Sequence, residues 1–130
     1  MASIFTKIIN GEIPAHKIAE NDQFIAILDA FPVAKGHILV IPKKEIDKIF
    51  DLDKEIYTQL MNFAYEIAQG LEKAIPCRRV GMAVVGLEVP HVHVHLIPLN
   101  QMNDINFTQP KLQLSSEEMT EIANQIKSHL

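Results

Sequence analysis

Residues 91 to 95 read His-Val-His-Val-His and run directly into the apolar segment Leu96-Ile97-Pro98-Leu99. Alternation of this kind marks a strand, because successive side chains of an extended chain point to opposite faces. His91, His93 and His95 then share one face, about 6.5–7 Å apart along the strand. Val92 and Val94 turn the other way, into a core. Imidazole is a general base, a nucleophile, a phosphate donor or a metal ligand at neutral pH. Three on one face of an apolar strand mark a site of chemistry rather than three unrelated surface residues.

A zinc site is the competing reading, since His-x-His on a strand can supply two ligands. Further ligands would have to come from His16, His37, His129 or the single cysteine, Cys77, and only His37 lies in a promising strand.

The rest of the chain sets the frame for that strand. Its 130 residues are read as one domain, 1–130, long enough to bury a single core. Apolar content of 48% is ordinary for a globular protein, and no run approaches a membrane span of about 20 apolar residues. The N-terminus lacks the pattern of a signal peptide. One cysteine fits a reducing compartment, so a cytoplasmic location is expected. A net charge of −4 argues against stable nucleic-acid binding. It also means that a phosphate site must be local, built from histidines and backbone amides.

Periodicity and punctuation predict the elements. A short helix over residues 3–10 places Phe5 and Ile8 on one side, stopped by Asn10-Gly11 and Pro14. Strands are expected at Lys17–Ala19, Phe24–Leu28, His37–Ile41, Arg79–Val85 and through the histidines. A long helix is expected over Asp53–Ile75, where Ile56, Leu60, Phe63, Ile67 and Leu71 form one stripe and Pro76 bars continuation. Asn100 to Gln113 is polar and irregular. Ser115 with Glu118 forms a capping-box pattern opening a final helix. Lys43 and Lys44 are read as a solvated strand end. The fold class is α+β: about five strands in a mostly antiparallel sheet, one long helix and a C-terminal helix.

Three blocks in order carry a family resemblance. They are Ile4 to Pro14, Gly36 to Lys43, and His91 to His95 with the lead-in Val89-Pro90 and the exit Leu96-Ile97-Pro98. Over nearly its whole length the chain resembles histidine triad (HIT) proteins. The resemblance implies a HIT-like fold and a homodimeric enzyme that binds a purine nucleotide, needs no cofactor and acts at the α-phosphate. It implies His93 as the nucleophile of a nucleotidyl-imidazole intermediate and His95 as a donor to phosphate oxygens. It further implies His91 and His37 as a supporting pair. Asp29, eight residues before His37, matches the carboxylate that binds the ribose hydroxyls. Phe5, Ile8, Ile27 and Ala30 match the base sandwich, and backbone amides near Val89 match phosphate donors.

Departures from the pattern are equally specific. Many bacterial relatives hold a structural zinc at positions that are here Ser3, Thr6 and Glu45, so that ligand set is missing as a group. Leu87 and Glu88 replace the polar residues common on the leaving-group side. His95 at the third triad position implies a hydrolase rather than a uridylyltransferase. Within the hydrolases the blocks resemble the Hint branch, which cleaves nucleoside phosphoramidates. The alternatives are a dinucleoside polyphosphate hydrolase and a nucleotide-binding regulator without turnover.

Overall fold

The structure is a computed structural model and describes residues 2–130. Five strands form one sheet: β1 (Lys17–Glu20), β2 (Phe24–Leu28), β3 (Ile38–Pro42), β4 (Arg79–Ala83) and β5 (Val94–Leu99), in the order β1-β2-β3-β5-β4. Every neighbouring pair is antiparallel. Three helices accompany it: α1 (Ile4–Ile9), α2 (Lys54–Ala74) and α3 (Ser116–Lys127). Among the described residues no helix is long and apolar enough to cross a membrane.

Both faces of the central strands are buried, which explains why β2 and β3 read as continuous apolar runs. Phe24, Ala26 and Leu28 of β2, with Ile38 and Val40 of β3, face a core completed by Leu60, Ile67 and Leu71 of α2 and by α3. Ile25, Ile27, Leu39 and Ile41 face the other side and pack with Phe5 of α1. Val92, Val94 and Leu96 belong to the first core, as the period-2 reading of the histidine segment requires.

Local sequence signals account for the helix ends. Ser3 caps α1 by accepting the Thr6 N–H. Ser115 and Glu118 form both bonds of the capping box at α3. Asp53 occupies the N-cap position of α2 without a side-chain cap bond. Between β3 and α2 the chain forms only a short 3₁₀ turn, at Ile49–Asp51.

The histidine segment differs from expectation in one respect. β5 begins at Val94, so His91 and His93 precede the sheet ladder. Their backbone groups go elsewhere: the His91 N–H donates to the Val89 carbonyl, and the Val92 N–H donates to Ile46 in the loop after β3. β4 correspondingly ends at Ala83, opposite His95, rather than at Val85. Val84 and Val85 lie outside the ladder and join the loop before the histidines. β3 likewise starts at Ile38, because the His37 N–H turns back to Ala34.

Gly36 sets the entry of His37. Its φ of +88° lies in the left-handed region, and an added Cβ would sit 3.0 Å from Ile75 Cγ1 and 3.2 Å from Leu71 Cδ1. Gly36→Ala therefore combines backbone strain with crowding against α2, and a loss of about 1–3 kcal/mol is expected. Urea denaturation of the variant checks this; unchanged stability would show that the turn tolerates a side chain.

Candidate active site

An open cleft of about 950 Å³ lies on the α1 side of the sheet. Its apolar end is formed by Phe5 and Ile8 of α1 with Ile27 and Ala30. Its polar end holds Asp29, His37, His93 and His95, with Glu88 and Val89 on the loop before the histidines. Of the residues that the resemblance assigns to the nucleotide site, His91 alone is not in the cleft wall. It is fully buried behind it.

Sheet register brings the distant histidine to the segment. Leu39 pairs with His95 on the cleft face, so His37, two residues earlier, is the diagonal neighbour of His95. His37 Nε2 and His95 Nδ1 are 2.9 Å apart.

Hydrogen bonds fix the tautomers of these four rings, three of them directly through backbone groups. The Val33 N–H donates to His37 Nδ1 at 3.1 Å, so in the neutral ring the proton is on Nε2. That Nε2–H donates to His95 Nδ1, leaving the proton of neutral His95 on Nε2. His91 donates from Nε2 to the Pro42 carbonyl at 2.7 Å and accepts at Nδ1 from the Ser3 hydroxyl at 2.7 Å. His93 donates from Nδ1 to the His91 carbonyl at 2.7 Å, which leaves the Nε2 lone pair as its free nitrogen. The result is one imidazole with a free lone pair beside one with a free N–H, ring centroids 4.9 Å apart. That arrangement can attack an electrophile and at the same time donate to its oxygens.

Burial keeps the supporting rings neutral. Desolvation, followed by neighbouring positive charge, lowers His37 to about 3 and His95 to about 4. Desolvation also lowers His91. Asp29 Oδ2 lies 3.6 Å from His37 Nε2, but with His37 neutral this is not an ion pair. Burial raises the Asp29 carboxyl, partly offset by the Phe31 N–H that it accepts at 2.9 Å.

The HIT domain family matches residues 10–102 of the chain. The chain belongs to the HIT family. Over its whole length this HIT protein is 32% identical to the adenosine 5′-monophosphoramidase hnt1 of Schizosaccharomyces pombe, covering 99% of that protein. It is 39% identical over 75% of its length to the adenosine 5′-monophosphoramidase HNT1 of Saccharomyces cerevisiae, covering 62% of it. The crystal structure of a Hit-like protein involved in cell-cycle regulation from Bartonella henselae superposes with a TM-score of 0.86 at 30% identity, covering 98% of this chain and 96% of the other.

Neither arrangement of candidate metal ligands suits a metal. At the positions that the resemblance links to zinc, Glu45 Oε1 accepts the Ser3 N–H at 2.7 Å and the Thr6 hydroxyl at 2.6 Å. Two hydroxyls replace the soft ligands that zinc prefers, and His91 Nδ1 is already taken by Ser3. Asp29, His37 and His95 bring one donor atom each within 4.8 Å. There His37 Nε2 carries the proton it shares with His95, so a metal would have to break both of its hydrogen bonds.

Sequence reasoning passed over two residues of the cleft wall. Phe107 lies against His95 with centroids 4.6 Å apart, and Lys111 follows four residues later. Both come from the segment read as polar and irregular. A signal was available: Phe107 and Lys111 are the sole aromatic residue and the sole cation between Asn100 and Lys127.

The pKa shifts give a pH dependence with a definite sign. Folded values of about 3 and about 4 lie below the ordinary 6.5, so on acidification the unfolded chain takes up protons that the folded protein refuses. Stability is complete above pH 6.5 and falls from there towards pH 4.5, by up to about 1.4 kcal/mol per pH unit for each histidine. Asp29, raised by burial, works in the opposite direction near its own titration. Urea denaturation at pH 7, 6 and 5 reads the slope, and a flat profile would mean that these rings are not held neutral.

Proposed function

We propose that this protein is a nucleotide hydrolase that cleaves nucleoside phosphoramidates at the α-phosphate through a covalent nucleotidyl intermediate on His93. The observation that carries the reading is the 2.7 Å bond from His93 Nδ1 to the His91 carbonyl, which reserves the Nε2 lone pair for the cleft. The yeast relatives named as adenosine 5′-monophosphoramidases support the reaction class.

In this reading the purine base lies at the apolar end among Phe5, Ile8, Ile27 and Ala30, and the ribose diol donates to Asp29. His93 Nε2 forms a bond to phosphorus as the P–N bond to the leaving amine breaks, and the departing nitrogen takes a proton from solvent. Water then attacks phosphorus, the His93–P bond breaks, and a nucleoside monophosphate and a proton are released. Splitting the displacement removes the need to position water and leaving group together. His95 Nε2–H donates to the phosphate oxygens and offsets charge developing there. His37 holds His95 in the donating tautomer, His91 anchors the carbonyl that does the same for His93, and backbone amides near Val89 add donors.

His93→Ala should abolish turnover while leaving nucleotide affinity within about tenfold, because the base and ribose contacts lie elsewhere. Single-turnover reaction with a labelled substrate should label wild-type His93 covalently. Near-normal kcat in the variant would overturn the mechanism, and binding without labelling would favour a regulator without turnover.

Glu88 lies in the cleft wall, close enough for its charge to raise Asp29 further after burial has done so. A carboxylate there repels a polyphosphate leaving group and tolerates an amine. Adenosine and guanosine phosphoramidates should therefore exceed diadenosine polyphosphates in kcat/KM. The dinucleoside polyphosphate reading draws its support from Lys111 in the same wall, and the reverse order would establish it.

A cytoplasmic homodimer, formed through α2 and β4, completes the proposal. The protein exposes 7883 Å² of surface, against roughly 6,900 Å² for a compact monomer of this mass. Apolar side chains account for part of that excess: Met82 on the outer strand β4, Val84 and Val85 beyond it, and Tyr65 on α2. Pairing them across a twofold axis would cover an exposed strand edge. Sedimentation at micromolar concentration should give twice the chain mass; monomer alone would exclude the dimer.

A further inference from the structure

Lys111 is the one cation between Arg79 and Lys127, and the fold carries it to the cleft. The segment 106–112 forms a strap along the cleft wall, folded on itself at Asn106 and tied to the body of the protein at Leu112. Asn106 Oδ1 accepts from the backbone and hydroxyl of Thr108, and the Leu112 N–H donates to the Pro32 carbonyl in the loop after β2 at 2.8 Å. Between these ties Phe107 packs on His95 and lies 6.3 Å from His37, centroid to centroid. Lys111 Nζ sits 5.9 Å from the Phe107 ring centroid and donates to the Phe107 carbonyl.

The charge balance of the cleft makes this lysine matter. The charged side chains in its wall are Asp29, Glu88 and Lys111. His37 and His95 are neutral, and the free Nε2–H of His95 can orient a phosphate without compensating for two carboxylates. A nucleotide phosphate entering this cleft would meet net negative charge if Lys111 were absent. The flexible stem of lysine lets the ammonium exchange the Phe107 carbonyl for a phosphate oxygen, while water takes over at the exposed strap.

We propose that Lys111 is the phosphate-binding cation of the cleft and the residue by which it selects 5′-nucleotides over nucleosides. The proposal rests on the nucleotide reading above and adds to it a residue from outside the three sequence blocks. The lysine's field already reaches the site. After burial it is among the smaller influences that lower His37 and His95, and it opposes the effect of burial on Asp29.

The test compares adenosine and AMP binding by calorimetry for the wild type, Lys111→Met and Lys111→Arg, at low and high salt. Lys111 is surface-exposed, so both variants should fold as the wild type does. Lys111→Met should lose about tenfold in AMP affinity, the lower end for a charge-assisted hydrogen bond at a part-exposed site. Adenosine affinity should stay within about twofold, because adenosine carries no phosphate for the ammonium to meet. Lys111→Arg should restore the preference for AMP, and the salt dependence of AMP binding should weaken in Lys111→Met. With a phosphoramidate substrate the loss should fall more on KM than on kcat. A wild-type ratio of AMP to adenosine affinity in Lys111→Met would overturn this inference alone. Failure of the wild-type protein to bind either ligand would overturn the nucleotide reading and the inference with it.

Discussion

The hydrogen bond from His93 Nδ1 to the His91 carbonyl decides which nitrogen of the central histidine faces the cleft. A side-chain partner could rotate or titrate; a main-chain carbonyl can do neither, so the tautomer is as fixed as the backbone. The backbone is held in turn by His91, clamped between the Ser3 hydroxyl and the Pro42 carbonyl. β5 begins only at Val94, so the carbonyl of His91 is not part of a ladder and is free to accept a side chain. The late start of the strand is what leaves that carbonyl available to His93.

The second chain of bonds, from Val33 through His37 to His95, follows the same logic with one more ring. Each ring accepts at one nitrogen and passes a donor on, so the free N–H of His95 is set by the Val33 backbone amide. Such a chain holds only while both rings stay neutral, and burial ensures that by penalising the charged form. Protonating His37 would put a donor where the Val33 N–H already points. The desolvation that costs stability in acid is thus the same effect that preserves the donor order at neutral pH. Local conflict of this kind is expected where function rather than packing selected the residues.

Features set by neighbours in sequence were legible before the structure was known. The apolar run Phe24–Leu28 is a strand with those bounds, and the capping box at Ser115 and Glu118 opens α3. Val92 and Val94 face the core because period 2 persists even outside the ladder. Features set by register were not legible from composition or spacing. His37 meets His95 because Leu39 pairs with His95 between adjacent strands; the family resemblance brought His37 to the site but paired it with His91. Glu45 reaches Ser3 across 42 residues through a loop with no periodic signal. Phe107 and Lys111 were missed for the same reason, since a strap held by a backbone bond to Pro32 leaves no pattern in its own sequence.

The Glu45 contacts show why the N-terminal segment belongs to the site. Six residues are too few for a helix to persist alone in water, because the nucleation cost is not repaid over so short a length. α1 is held instead by the Ser3 cap, by burial of Phe5, and by Glu45, which binds the Ser3 amide and the Thr6 hydroxyl. Ser3 also donates to His91, and Phe5 packs edge-on against His93 with centroids 4.9 Å apart. One short helix therefore forms the apolar wall of the cleft and also anchors the ring behind His93. Order in α1 and order in the histidine segment are coupled through Ser3. Loosening Glu45 would reach His93 without any substitution inside the cleft.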